Sequence, residues 1–149
     1  VPGVLIVRSG TAVDFPNSDQ VRHQVYSFST AKSFQLALYA GRAHPPVVFE
    51  RPGLITLGCN IHDAMIGYIY VTDSPWFGVT GADGSLLLRD LPAGEYTVRV
   101  WHPRMAEVTA QLAQRETLGE GSSVSSFRLA RPLRPAMRGG GAEKSWEDY

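Results

Sequence analysis

The chain holds a single cysteine, Cys59, among its 149 residues. That count excludes a disulfide within the chain, and it excludes a zinc site built from four cysteines. There is no excess charge either: 14 basic side chains balance 14 acidic ones. No field of one sign is available to grip nucleic acid or an anionic membrane surface. No apolar run approaches the roughly 20 residues that a membrane-spanning helix needs. No charged-then-apolar secretory signal opens the sequence. The first residue is Val1, which reads as a processed or trimmed chain, so the missing signal does not fix the compartment. Lysine is scarce: Lys32 and Lys144 are the only two, the remaining basic residues being arginine. We attach no function to that imbalance.

What is present points to a globular β protein. Hydrophobic residues make up 44% and charged residues 19%, a composition that can build a core. Fifteen glycines and ten prolines break the chain often, which argues against a helical bundle and for short strands joined by turns. Alternation of apolar and polar residues predicts several of these strands. Val13 and Phe15 share a face in the first segment. Val21, His23 and Val25 share another, so that a histidine lies on the apolar side. Phe34, Leu36, Leu38 and Ala40 are expected on one face of a strand over 33–40. Leu54 to Cys59 runs as a strand into the cysteine, and Ile66 to Val71 forms the next. Further on, Ala82-Asp83-Gly84 and Leu91-Pro92-Ala93-Gly94 are turn signals. Tyr96, Val98 and Val100 alternate cleanly. Glu107–Leu112 and Ser123–Leu129 are expected as additional strands. The segment from 134 onward, with Gly139-Gly140-Gly141, reads as a flexible tail. Strand spacing of roughly 8–12 residues suits a β-sandwich.

The chemistry concentrates in Cys59-Asn60-Ile61-His62-Asp63-Ala64-Met65. A thiol, an imidazole and a thioether stand at C-x2-H-x2-M on one short loop between two apolar strands. Each residue alone reads as structure: a buried cysteine as packing, a histidine on an apolar face as a satisfied core group, a methionine as filler. Together they form a soft donor set that suits copper in both oxidation states. Two histidines, one cysteine and a weak axial methionine are the ligands of an electron-transfer copper. The loop supplies three of the four. Among the four histidines of the chain, His23 is the best candidate for the other, because it faces inward beside a turn.

This segment resembles the blue-copper cupredoxins of the plastocyanin and amicyanin type, including those termed methylamine-utilisation proteins. The resemblance is carried by His23, Cys59, His62 and Met65 in that order. It also rests on Gly10-Thr11-Ala12-Val13-Asp14-Phe15-Pro16-Asn17 ahead of His23-Gln24-Val25, and on Met65-Ile66-Gly67-Tyr68-Ile69-Tyr70-Val71 as a closing strand. It implies an all-β, Greek-key sandwich over 1–73 that binds one type 1 copper. Three departures stand out. Ile61 and Asp63 replace the prolines of an amicyanin-type loop, Gln24 replaces the usual asparagine, and the strand expected ahead of Val1 is missing, through truncation or replacement by another segment. Asn17 and Gly58 are expected to order the backbone around the ligands.

Residues 74–133 resemble carboxypeptidase-regulatory-like or transthyretin-like β-domains, through Gly81-Ala82-Asp83-Gly84 and Leu91-Pro92-Ala93-Gly94-Glu95-Tyr96-Thr97-Val98. This implies a second small β-sandwich without catalysis. His102 reads as structural, and His44 as a loop residue. If Met65, Gly67, Ile69 and Val71 face inward, Ile66, Tyr68 and Tyr70 face outward. The second half is expected to cover them through the Pro75-Trp76-Phe77 joint, with Trp76 and Trp101 buried.

The function that follows is one-electron transfer without catalysis, since no ligand position stays open and no His-x-His motif supplies further coppers. Redox proteins are the expected partners, docking transiently near His62 over Ile61, Ala64 and Pro45-Pro46. By family likeness the setting is the periplasm or outside the cell. Copper storage or delivery, a scaffold role, and a subunit of a larger redox complex remain as alternatives.

Overall fold

The computed structural model describes residues 3–18, 20–41, 44–59, 66–106 and 111–135. Nine strands form among them: β1 (Val4–Arg8), β2 (Thr11–Val13), β3 (Val25–Ser29), β4 (Lys32–Gln35), β5 (Val47–Phe49), β6 (Gly53–Cys59), β7 (Ile66–Thr72), β8 (Gly94–Val100) and β9 (Leu112–Leu118). The described residues contain no helix, and so none long and apolar enough to cross a membrane. The fold is an all-β sandwich.

Strands β1-β7-β6-β3-β4 form a five-stranded sheet, with β1 parallel to β7 and the other neighbours antiparallel. Strands β2 and β5 form a two-stranded antiparallel sheet. The chain passes from the large sheet to the small one at Ser9-Gly10, where Gly10 takes a φ of 88° that a side chain resists. Its N–H donates to the Phe49 carbonyl at 2.8 Å. Between the sheets lie Val7, Phe49, Ile55, Ile69 and Val71, with Val13, Phe15, Phe34 and Val47 packed against them. The rings of Phe15, Phe34 and Phe49 contact one another at centroid distances of 5.7, 6.0 and 6.4 Å.

The alternation of β7 holds: Gly67, Ile69 and Val71 are buried, while Ile66, Tyr68 and Tyr70 face the other way. Tyr68 and Tyr70 are half-buried, because Trp101 lies against both at 5.5 and 6.0 Å. Gln111 Nε2 donates to the Tyr70 hydroxyl at 2.7 Å. Trp76 and Trp101 are half-buried rather than buried. Trp76 meets Tyr96 in a T-shaped arrangement at 5.7 Å.

The described residues beyond 74 form one antiparallel ribbon, β8 with β9, in register from Gly94↔Leu118 to Val100↔Leu112. Tyr96 Oη donates to the Pro92 carbonyl at 2.7 Å and ties down the turn that enters β8. Residues 123–129 form no strand. Serine hydroxyls, of which Ser122, Ser123, Ser125 and Ser126 supply four, offer the backbone alternatives to strand pairing, and Val124 points to solvent. Of the segment 107–112, residues 107–110 lie outside the described residues; the strand begins at Leu112 and runs to Leu118. Arg134 is held: its Nε and Nη2 donate to the Met105 carbonyl at 3.0 and 2.8 Å, and its N–H donates to the Arg104 carbonyl at 2.8 Å.

Candidate metal centre

Strand β6 delivers Cys59 at its last position, paired in register with Val25 at the start of β3. Two residues before Val25 stands His23, on the same face. Both side chains are withdrawn from solvent, Cys59 being 5% and His23 6% exposed. Cys59 Sγ lies 3.6 Å from His23 Nδ1. A metal held by a thiolate at about 2.3 Å and an imidazole nitrogen at about 2.0 Å places those two donors about 3.5–3.8 Å apart, for angles between tetrahedral and trigonal. The observed separation falls inside that interval. The pair therefore fits two ligands of one small metal ion with no change of backbone. Without a metal, the same distance serves a thiol–imidazole hydrogen bond.

His62 and Met65 lie outside the described residues, as do Ile61 and Ala64 of the expected docking patch. Of the four sequence-derived ligands, the structure thus brings two together. No cluster of three or more His, Cys, Asp or Glu able to hold a metal occurs among the described residues.

The surroundings explain why this sequence places His23 so. Asn17 is buried, and its Nδ2 donates to the Val21 carbonyl at 2.8 Å and to the Tyr39 carbonyl at 2.9 Å. Its backbone exchanges hydrogen bonds with Gly41 at 2.9 Å in each direction. One amide side chain thus closes the turn ahead of His23 and ties it to the segment 39–41. Gly58 has a different reason. Tyr26 crosses it so closely that a Cβ would sit 2.7 Å from Tyr26 Cζ. Only glycine admits that ring beside the cysteine.

Two features were missed in the sequence. The alternation over 33–40 breaks after Leu36: Leu38 is 50% exposed, and Tyr39 takes the interior at 5%. The strand β4 stops at Gln35, and the chain steps three residues before turning inward again. Burial and then the nearby Cys59 thiolate push the Tyr39 phenol above its ordinary value. Secondly, an open groove on the outer face of the large sheet is lined by Tyr26, Phe28, Thr56, Gly58 and Ile66 and reaches Cys59. His44, read as a loop residue, stands edge-on to Tyr39 with centroids 4.9 Å apart. His102 is structural: its Nδ1 accepts from the Arg104 N–H at 3.1 Å. Burial and the Arg104 charge lower its pKa.

Several solved structures resemble about half of this chain. A purple cupredoxin from Nitrosopumilus maritimus is 27% identical over 48% of this chain and 79% of its own, with a TM-score of 0.43. A copper-containing nitrite reductase from Thermus scotoductus SA-01 is 26% identical over 49% of this chain and 20% of its own, with a TM-score of 0.45. An amicyanin variant in reduced form is 19% identical over 47% of this chain and 70% of its own, with a TM-score of 0.43. No protein-family model and no curated protein matches the sequence.

Proposed function

We propose that the chain is a type 1 copper protein that passes single electrons between redox partners. The observation that carries this reading is the buried His23–Cys59 pair at 3.6 Å, standing immediately ahead of His62 and Met65 at C-x2-H-x2-M. Copper bound there supplies the one-electron Cu(I)/Cu(II) couple. The Cys59 thiolate, the imidazoles of His23 and His62 and the Met65 thioether would hold it, a soft donor set that serves both oxidation states. Strand β6 fixes Cys59, and the backbone bridge to Tyr39 just ahead of β3 fixes His23, which limits rearrangement between oxidation states. Burial of Cys59 excludes water from the thiolate and tunes the potential. The full ligand set leaves no place for a substrate, so the protein acts as a carrier and not as an enzyme.

Partners on this reading are redox proteins docking transiently near His62, beside Ile61, Ala64 and Pro45-Pro46, in the periplasm or outside the cell. Residues 74–133 would act as a regulatory-like module on the copper domain of 1–73, and 134–149 as a tail. Burial of Cys59 and His23 favours a carrier over a delivery protein, which needs an exposed and labile Cu(I) site.

The test is Cu(II) addition to the 149-residue chain, followed by absorption and EPR spectroscopy beside Cys59→Ser. An intense visible thiolate band with a narrow copper hyperfine splitting, both lost in Cys59→Ser, is the expected result. A colourless protein, or copper held equally well without the thiol, would overturn the carrier reading.

A further inference from the structure

We infer that Tyr39 is a positioning residue of the metal centre: it orients the His23 ring against Cys59 and closes the side of the thiolate that faces the segment 36–41. The inference rests on the proposed copper site for its spectroscopic arm only. His23 and Tyr39 exchange both backbone hydrogen bonds, His23 N–H to the Tyr39 carbonyl and Tyr39 N–H to the His23 carbonyl, each at 3.0 Å. Residues paired in this way project their side chains to the same face, with Cβ atoms about 4.5–5.5 Å apart. Since His23 points to Cys59, Tyr39 stands beside it on that face. Its burial has a local cost, because the chain leaves the large apolar Leu38 in solvent to turn a phenol inward. The raised phenol pKa, in which the Cys59 charge takes part, agrees with that proximity.

The ring is also braced from outside. His44 meets it edge-on at 87°, and His44 Nε2 donates to the Ala37 carbonyl at 3.0 Å, which fixes the imidazole. The backbone of Tyr39 is pinned by Asn17, the same side chain that closes the turn ahead of His23. Tyr39 is thus held by His44 at its ring and by Asn17 and His23 at its backbone, on the face that His23 shares with Cys59. A side chain placed so rigidly defines where the imidazole can rotate and which molecules reach the sulfur.

Three variants test this: Tyr39→Leu, Tyr39→Phe and His44→Ala. In the metal-free protein, the rate at which iodoacetamide alkylates Cys59 reports the cover. Tyr39→Leu should raise that rate about tenfold, and Tyr39→Phe, which keeps the ring, should stay within about twofold of the parent. His44→Ala removes only the brace and should raise it a few-fold. In the Cu(II)-loaded protein, Tyr39→Leu should shift the hyperfine splitting as His23 reorients, with Tyr39→Phe restoring it. An unchanged alkylation rate and EPR spectrum in Tyr39→Leu would overturn the inference. If that variant does not fold, the same result in His44→Ala would do so. Should the parent chain give no thiolate band with copper, the carrier reading fails, while the alkylation series still decides whether Tyr39 covers the pair.

Discussion

The two halves of this chain use the same alternating β pattern and reach different degrees of burial. Strands β6 and β7 carry Ile55, Ile69 and Val71 into an interior closed on its other side by β2 and β5. Strand β8 alternates just as regularly, yet Tyr96, Val98 and Val100 are only half-buried. Among the described residues beyond 74, Met105 is the single buried hydrophobic side chain. Alternation specifies a face; it does not supply a second layer to cover that face. A two-stranded ribbon is marginal by itself in water. The back half therefore depends on what it docks against, and its visible anchor is Trp101 on the outer aromatic side chains of β7. The front half holds the His23–Cys59 pair with a core of its own.

A core truncation in each half should separate them most sharply. Phe49 is fully buried and touches both Phe15 and Phe34. Phe49→Ala should cost about 3–5 kcal/mol, near the whole stability of a small domain. Val98→Ala, in the half-buried ribbon, should cost less than about 1.5 kcal/mol. Urea titrations followed by circular dichroism would measure both. Equal costs would mean that the ribbon belongs to a core as closed as the first.

Much of the front half could be read from the sequence, because its strands have one wet face and one dry face. The inward placement of His23, the strand ending at Cys59, the alternation of β7 and the ordering role of Asn17 all follow from residue types in order. Tyr39 did not. The strand ends at Gln35, and nothing in SFQLALYA marks the three-residue step that follows. The identity of β9 was equally hidden. Leu112–Leu118 reads LAQRETL, and its burial is uneven, so the pairing with β8 and not its own pattern makes it a strand. Phe28 shows the converse: an aromatic in β3 that is 79% exposed, stacked on Tyr26 at 5.2 Å instead of entering the core. Local sequence sets a residue's face, and tertiary pairing sets what meets it.

A smaller effect should come from the joint itself. Trp101→Ala removes two ring contacts to β7 and leaves the core between the sheets untouched. Aromatic pairs contribute about 0.5–1.5 kcal/mol each beyond area burial, so a loss of about 1–3 kcal/mol is expected. The loss should fall on the back half. Hydrogen exchange should quicken in β8 and β9 while the amides of β6 keep their protection. Protection lost equally in β6, β8 and β9 would show the halves unfolding as one unit and differing in burial alone.

The smallest expected effect is a pH dependence confined to the back half. His102 Nδ1 accepts the Arg104 N–H, and the His102 carbonyl accepts the Met105 N–H at 3.0 Å, so this one residue organises the turn that Arg134 clamps. A protonated imidazole has no acceptor left to offer. Folding therefore favours the neutral ring, in keeping with a pKa lowered by burial and by the Arg104 charge. Between the lowered folded value and the unfolded value near 6.5, the unfolded chain binds more protons, so stability rises with pH across that window. The contribution is complete above the unfolded value and fades as pH falls toward the folded one. Amide exchange in β8 and β9, corrected for its intrinsic pH dependence, should show protection falling from pH 7 to pH 5. His102→Gln should flatten that slope, since its amide carries no charge to titrate. A slope that survives the substitution would place the titrating group elsewhere and leave His102 with its turn geometry alone.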